Sequence, residues 1–272
     1  MFGFFKKKPP KPHADERPSG GPILAFLLLE GDTFPFEGLI QQLSKKKKLA
    51  GQPVSEVESS EGGTLTFKVG DELVAMGLMP APYPASDLEG PLATSWMWPP
   101  EAKIEDVKRH RSHLLITLLN GTATPVRRRL TLAAITALAA RQPGVMAVYW
   151  PDATMVHYPP LFAEMADSIQ SPEAPPLYLW VDYRTWVNDD GSSGLFTTGL
   201  APLGHMELEI PRIDMPPGEL RDWAVNITYY LLEKGPILLD GQTVGVSAEH
   251  QVRIRHTESS FGHPGKVIRL EP

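Results

Sequence analysis

Proline supplies 28 of the 272 residues, about twice its average share, and its placement constrains the fold more than any other feature. A proline breaks a helix interior and cannot donate to a sheet ladder. The doublets at 99–100, 159–160, 175–176 and 216–217 therefore mark where regular elements stop. Excess proline can signal disorder, but 42% of the residues are hydrophobic, and they recur in periodic blocks between the doublets. The doublets read as punctuation in a folded chain. Loops stiffened in this way also lose less entropy on docking a partner.

Between the doublets the periodicity assigns elements. Ile23–Leu29 is a continuous apolar run bounded by Gly21 and Gly31, the pattern of a strand buried on both faces. Phe36, Leu39, Ile40 and Leu43 stand at helical spacing, and Lys45–Lys48 follow where positive charge suits the helix dipole. Leu65–Val69 and Leu73–Met79 flank Gly70-Asp71 as a hairpin. Residues 86–90 and 96–100 look irregular and, in the second stretch, aromatic; His113–Leu119 is the next strand. Thr124-Pro125 opens a helix whose Leu130, Ala134, Ile135, Leu138 and Ala139 form one apolar face. Val145–Trp150 reads as a strand and Leu161–Ile169 as a short helix.

The polar, proline-rich stretch 171–176 is the best internal boundary. Beyond it, Leu177–Val187 and Leu195–Leu200 surround a hairpin loop at 188–193. Met206, Leu208 and Ile210 alternate with His205, Glu207 and Glu209 as a strand with one wet face. Pro216-Pro217-Gly218 introduces a helix carrying Leu220, Trp223, Ala224, Ile227, Tyr230 and Leu231 at i, i+3, i+4 spacing, and Val252–Arg255 and Val267–Leu270 close the chain as strands. The expected fold is α+β and two-lobed, with two mostly antiparallel sheets, or one extended sheet, and helices packed on one face. Its parts are a disordered basic tail at 1–20, an N-terminal lobe at 21–170 and a C-terminal lobe at 177–272.

Composition narrows the chemistry. The chain has no cysteine, which excludes disulfides, thiolate metal sites and cysteine nucleophiles. Residues 1–20 carry five Lys/Arg against two Asp/Glu, so a net charge of −6 leaves −9 for the remainder. With an acidic body and short, separate basic clusters, no nucleic-acid partner is expected. The longest apolar run, Ile23–Leu29, is far short of the ~20 residues that cross a bilayer. The first residues lack the apolar stretch of a signal peptide, so a cytoplasmic protein is expected.

Few residue patterns point to catalysis. His205, Glu207 and Glu209 share one strand face, where an imidazole and two carboxylates could ligate a divalent metal or supply an acid and a base. A strand with a solvated face needs polar residues at those same positions. His110-x-x-His113 lies among arginines that oppose a cation, His157 stands beside Tyr158 in an expected loop, and His256 and His263 flank a surface loop. No phosphate-binding loop, nucleophile elbow, dinucleotide fingerprint or H-E-x-x-H occurs. The aromatic residues Tyr83, Trp96, Trp98, Tyr149, Trp150 and Tyr158 suit either core packing or an interface.

Several stretches taken together carry a resemblance. They are Met79-Pro80-Ala81-Pro82, Asp87-Leu88-Glu89-Gly90-Pro91, Trp96-x-Trp98-Pro99 and His110 to Thr117, then Leu179 to Arg184, Phe196 to Leu200 and Met206 to Pro211. Tyr230-Leu231-Leu232-Glu233-x-Gly235-Pro236 and Asp240-Gly241-x-Thr243-Val244-Gly245 complete the set. In order and spacing these resemble the bacterial domain-of-unknown-function 4261 family from about Ile23 to Leu270. From 177 onward, Thr198-Gly199-Leu200, the Met-Glu-Leu-Glu strand, the helix and Gly241-Gln242-Thr243 also resemble, more faintly, suppressor-of-fused-type domains, which usually have a histidine where Gln242 stands.

The first resemblance implies no catalytic residue. The second implies a partner-binding module, whose bacterial members often accompany secreted toxins as immunity proteins. The resulting expectation is a non-catalytic protein-binding module that neutralises a toxin of an interbacterial secretion system, with no cofactor and no metal. Its expected contact residues are Tyr83, Asp87, Glu89, Trp96 and Trp98. The alternatives are an enzyme using His205, Glu207 and Glu209, and a peripheral accessory protein of a secretion or envelope machine held by the basic tail.

Overall fold

A computed structural model describes residues 20–60, 62–168, 171–245 and 251–272. The tail expected at 1–20 lies outside these residues except for Gly20. The chain divides into two compact units, and the division follows Trp180.

The first unit contains β1 (Ile23–Leu29), α1 (Phe36–Lys45), β2 (Lys48–Leu49), β3 (Gln52–Ser60), β4 (Thr64–Val69), β5 (Glu72–Met79) and α2 (Ala85–Thr94). It continues with β6 (Ser112–Leu118), α3 (Pro125–Ala140), β7 (Val145–Trp150), β8 (Met155–His157), α4 (Pro159–Ser168) and α5 (Leu177–Trp180). Its strands form one antiparallel sheet in the order β2-β3-β4-β5-β6-β1-β7-β8. The run of β1 has no polar alternation because the strand lies between β6 and β7, with Leu27 opposite Leu114 on one side and Val148 on the other. Leu88 and Leu92 of α2 pack with Leu28, Ala147, Tyr149 and Val156 on one face. Leu27 is fully buried on the opposite face, which α3 covers along β1, β6 and β7.

Three local expectations change. Residues 86–90 belong to α2, although Pro91 lies inside that helix. Proline costs a helix interior about 3 kcal/mol, and burying two leucines at roughly 1.5–3 kcal/mol each outweighs it. Helix α3 buries every residue from Arg128 to Ala140, not a single face, because α4 packs on it as well as the sheet. Its Thr124 N-cap is as expected, the hydroxyl accepting from Arg127 N. Residues 177–180 form a helical turn instead of a strand. The turn starts after Pro175-Pro176, with Leu177 N donating to the Pro175 carbonyl and Leu179 N to that of Pro176.

The burial of α3 carries charge inside. Arg128 Nε donates to both Glu72 carboxylate oxygens, at 2.9 and 3.1 Å, and its terminal nitrogens donate to the Gly21 and Leu118 carbonyls. Arg129, also buried, pairs with Asp152. A buried arginine must have its donors matched by acceptors, and Glu72 supplies them across 56 residues of chain.

The second unit contains β9 (Asp182–Val187), β10 (Ser193–Thr198), β11 (Leu208–Ile213), α6 (Pro217–Lys234), β12 (Thr243–Gly245), β13 (Gln251–Glu258) and β14 (Lys266–Glu271). The strand order is β12-β13-β14-β11-β10-β9, antiparallel except where β11 runs parallel to β14. Helix α6 packs on β9 and β10, and its Arg221 donates to the Tyr183 carbonyl and the Thr185 hydroxyl. The face carrying Tyr183, Thr185 and Leu195 is therefore the helix-covered one. Arg184, Trp186 and Phe196 stand on the other.

Candidate functional site

The alternation through His205, Glu207 and Glu209 places Glu209 in β11, with Glu207 just before it. The face is not wet. Glu207 is buried and Glu209 fully so, a correction to the expected solvated strand face. The cause is the turn between β13 and β14, which folds over Glu209 and ties itself to the carboxylate. Oε1 accepts from Ser259 Oγ at 2.5 Å and Ser260 N at 3.1 Å, and Oε2 accepts from Arg269 NH2 at 2.8 Å. Arg269 also donates to the Glu258 carbonyl and Ser260 Oγ. Burial raises the Glu209 pKa, but the donors from Ser259, Arg269 and Ser260 outweigh it and hold the group below the usual carboxylate value.

Glu207 closes a second turn. It accepts from Thr197 Oγ1 at 2.7 Å and from the backbone amides of Gly199 and Ala201 at 2.9 Å each. Burial prevails here and raises its pKa, against the opposing bonds from Ala201, Thr197 and Gly199. Both carboxylates thus hold loops of the fold, and their lone pairs are engaged by named donors. Among the described residues no three His, Asp or Glu side chains gather where they could hold a metal ion.

The other histidines resolve similarly. His110 is buried; its Nε2 accepts from Tyr83 N and its Nδ1 faces the Val107 carbonyl, both at 2.8 Å. That pairing requires a neutral ring protonated on Nδ1. His113 faces the Ala81 carbonyl through Nδ1. His157 is not in a loop but in β8, fully buried against Phe162, and desolvation lowers its pKa to about 4.

The five expected contact residues separate into two groups. Tyr83 packs against Phe26, Tyr149 and His113, with ring centroids 4.8, 5.2 and 5.3 Å away. Trp98 packs on Tyr158 at 5.5 Å, and both Tyr83 and Trp98 lie against the core beneath α2. Burial, with Tyr83 and Asp87 adding to it, pushes the Tyr149 hydroxyl up to about 12. Asp87, Glu89 and Trp96 face solvent on and just after α2, with Trp96 edge-on to Tyr178. Tyr149 and Trp150 are core residues.

Sequence reasoning passed over a further cluster on the open face of the second unit. Phe196 stacks on Phe261 at 4.7 Å, Trp186 meets Phe261 at 5.2 Å, and Arg184 lies 5.9 Å from the Phe196 ring center. The alternation of Arg184 and Trp186 with Tyr183 and Thr185 carries the signal. The contribution of Phe261 comes from a turn that no periodicity announces.

The second unit is thus a six-stranded mixed sheet, one helix on one face, with two buried glutamates fastening its turns on the other. Residues 196–271, from β10 to β14, match a family model described as Domain of unknown function (DUF4261). The match supports the family resemblance over that segment and contains both glutamates, Arg269 and Phe261. No likeness to suppressor-of-fused domains is shown. No curated protein and no solved structure matches the chain, and no described helix is long and apolar enough to cross a membrane.

Proposed function

We propose that the chain is a non-catalytic protein-binding module that receives a basic partner on the α2 surface of its first unit. One observation carries this reading. From residue 69 to 102 the chain contains no lysine or arginine, and within that stretch Asp87, Glu89, Glu101 and Trp96 all stand in solvent. Six prolines between 80 and 100 stiffen the same surface. An exposed tryptophan on a stretch whose exposed charges are carboxylates suits a partner that offers lysines or arginines around an apolar contact. Tyr83 and Trp98 support that surface from below. The engagement of Glu207 and Glu209 in turn closure favours binding over acid–base chemistry at that strand.

The narrower form of the reading is a cytoplasmic immunity protein whose basic partner is a secreted toxin. The test compares the wild-type chain with Asp87→Lys/Glu89→Lys and with Trp96→Ala as baits in native-host lysate, followed by association kinetics on what is captured. The expected result is a basic protein held by the wild type. Charge reversal slows its association at low salt, and Trp96→Ala speeds its release. A partner held equally well by all three baits, or none held at all, rejects the proposal.

A further inference from the structure

The open face of the second unit gathers residues that lie far apart in sequence. The register places Arg255 opposite Arg269, Arg269 beside Glu209, Glu209 opposite Phe196 and Phe196 opposite Arg184. These five side chains form one row across five strands. The neighbouring row carries Arg253 opposite Glu271, and Trp186 opposite Gly194. Counting Asp182 and Glu207, the face holds four arginines and four carboxylates. Two of the carboxylates are buried beneath arginines: Asp182 under Arg184 and Glu209 under Arg269. Arg253 and Arg255 are exposed, Arg184, Arg269 and Glu271 are half-buried, and Asp240 stands in solvent within electrostatic reach of Arg255. Glu271 holds Arg255 loosely, at 3.9 Å, and Arg253 has no ion pair among the described residues. In a chain of net charge −6, the most exposed charges of this face are the arginines Arg253 and Arg255.

The aromatic residues present flat surfaces. Trp186 lies across Gly194 so closely that a Cβ there would come within 2.2 Å of its ring. Its Nε1 donates to Asn188 Oδ1 at 3.0 Å, which fixes the half-buried indole beside Phe261. Phe261 is 40% exposed and is held by the turn that Glu209 fastens.

We propose that this face binds single-stranded nucleic acid, with bases stacking on Trp186 and Phe261 and phosphates running along Arg184, Arg253 and Arg255. Open sheets with aromatic side chains take unpaired bases because every base has a π-face, whereas a duplex hides its bases and offers only its backbone. An acidic peptide would meet the arginines but leave the exposed Phe261 ring without a stacking partner. This proposal stands on the second unit and is independent of the α2 reading.

The test uses the full chain and fluorescence anisotropy of labelled single strands of oligouridine and oligothymidine, about 12 nucleotides long, with a duplex of equal length as control. Both single strands are expected to bind and the duplex to bind far more weakly. Two to three phosphate contacts predict that affinity falls roughly 10-fold between ~50 and ~200 mM salt. Trp186→Ala is expected to weaken binding ~10-fold or more, with Trp186→Tyr restoring most of it. Arg253→Ala, at an exposed position, is expected to weaken binding and flatten the salt dependence without changing stability. Tighter binding of oligouridine points to RNA, and equal binding points to the shared base and phosphate chemistry. Absence of binding at low salt, insensitivity to Trp186→Ala, or equal competition by an acidic peptide overturns the proposal.

Discussion

Replacing Glu209 by alanine should destabilise the second unit by about 3 kcal/mol. The carboxylate is fully buried and accepts from Ser259, Ser260 and Arg269. Breaking a buried ion pair typically costs about 3–5 kcal/mol, because the remaining charge loses its partner. The lower end applies because Arg269 stays 18% exposed and keeps the Glu258 carbonyl and Ser260 Oγ as acceptors. Glu209→Gln retains an oxygen for the Ser260 amide and should cost less, about 1–2 kcal/mol. For a unit of this size, a loss of 3 kcal/mol lowers Tm by ~10 °C or more.

Urea denaturation of the whole chain at pH 7, followed by tryptophan fluorescence, measures the loss. Amide exchange at Ser260 and Phe261 locates it in the β13–β14 turn. The folded pKa of Glu209 is lowered, so its contribution is complete above the unfolded value of ~4.3 and is lost as pH falls through the folded value. The difference between wild type and Glu209→Gln should therefore shrink in strong acid. A loss below ~1 kcal/mol for Glu209→Ala at pH 7 would refute the clasp. Additivity of Glu209→Ala with Arg269→Met in a double-mutant cycle would refute it too.

Other outcomes follow from the first unit. His157 has a folded pKa of about 4, against ~6.5 when unfolded. The unfolded chain therefore binds more protons between those values, and stability falls by up to about 3 kcal/mol as pH drops from 6.5 to 4; His157→Gln should flatten that part of the stability curve. Arg128→Met leaves Glu72 buried without its cation and should cost about 3–5 kcal/mol in urea denaturation, whereas an unchanged midpoint would mean that water reaches the carboxylate. Gly121→Ala would put a methyl 2.1 Å from the Glu72 carboxyl and should disturb the same pair, read as a lower Tm. Trp98→Ala should cost about 2 kcal/mol or more, against about 1 or less for Trp96→Ala. Equal losses would show that the two residues do not divide between core support and exposed surface as described.

Much of the architecture is legible in the residues themselves. The uninterrupted run of β1, the Gly70-Asp71 hairpin, the Thr124-Pro125 helix start and the long amphipathic α6 each announce themselves through local periodicity and turn chemistry. The absence of cysteine likewise removes whole classes of chemistry without reference to any fold. Each of these signals is short-range, and short-range physics decides where strands and helices begin and end.

The candidate sites depend on what lies opposite in space. Glu209 alternates with apolar neighbours just as a solvated strand residue would, yet a turn from residues 259–263 and Arg269, 60 positions away, makes it a buried clasp. Asp87 and Glu89 look alike in sequence to Glu207 and Glu209, but the first pair stands in water and the second closes turns. Arg184, Arg253, Arg255 and Arg269 form no basic run along the chain; the strand register alone brings them to one face. Burial and charge pairing are properties of the packed neighbourhood, so tertiary structure decided which carboxylates hold the fold and which stand in solvent.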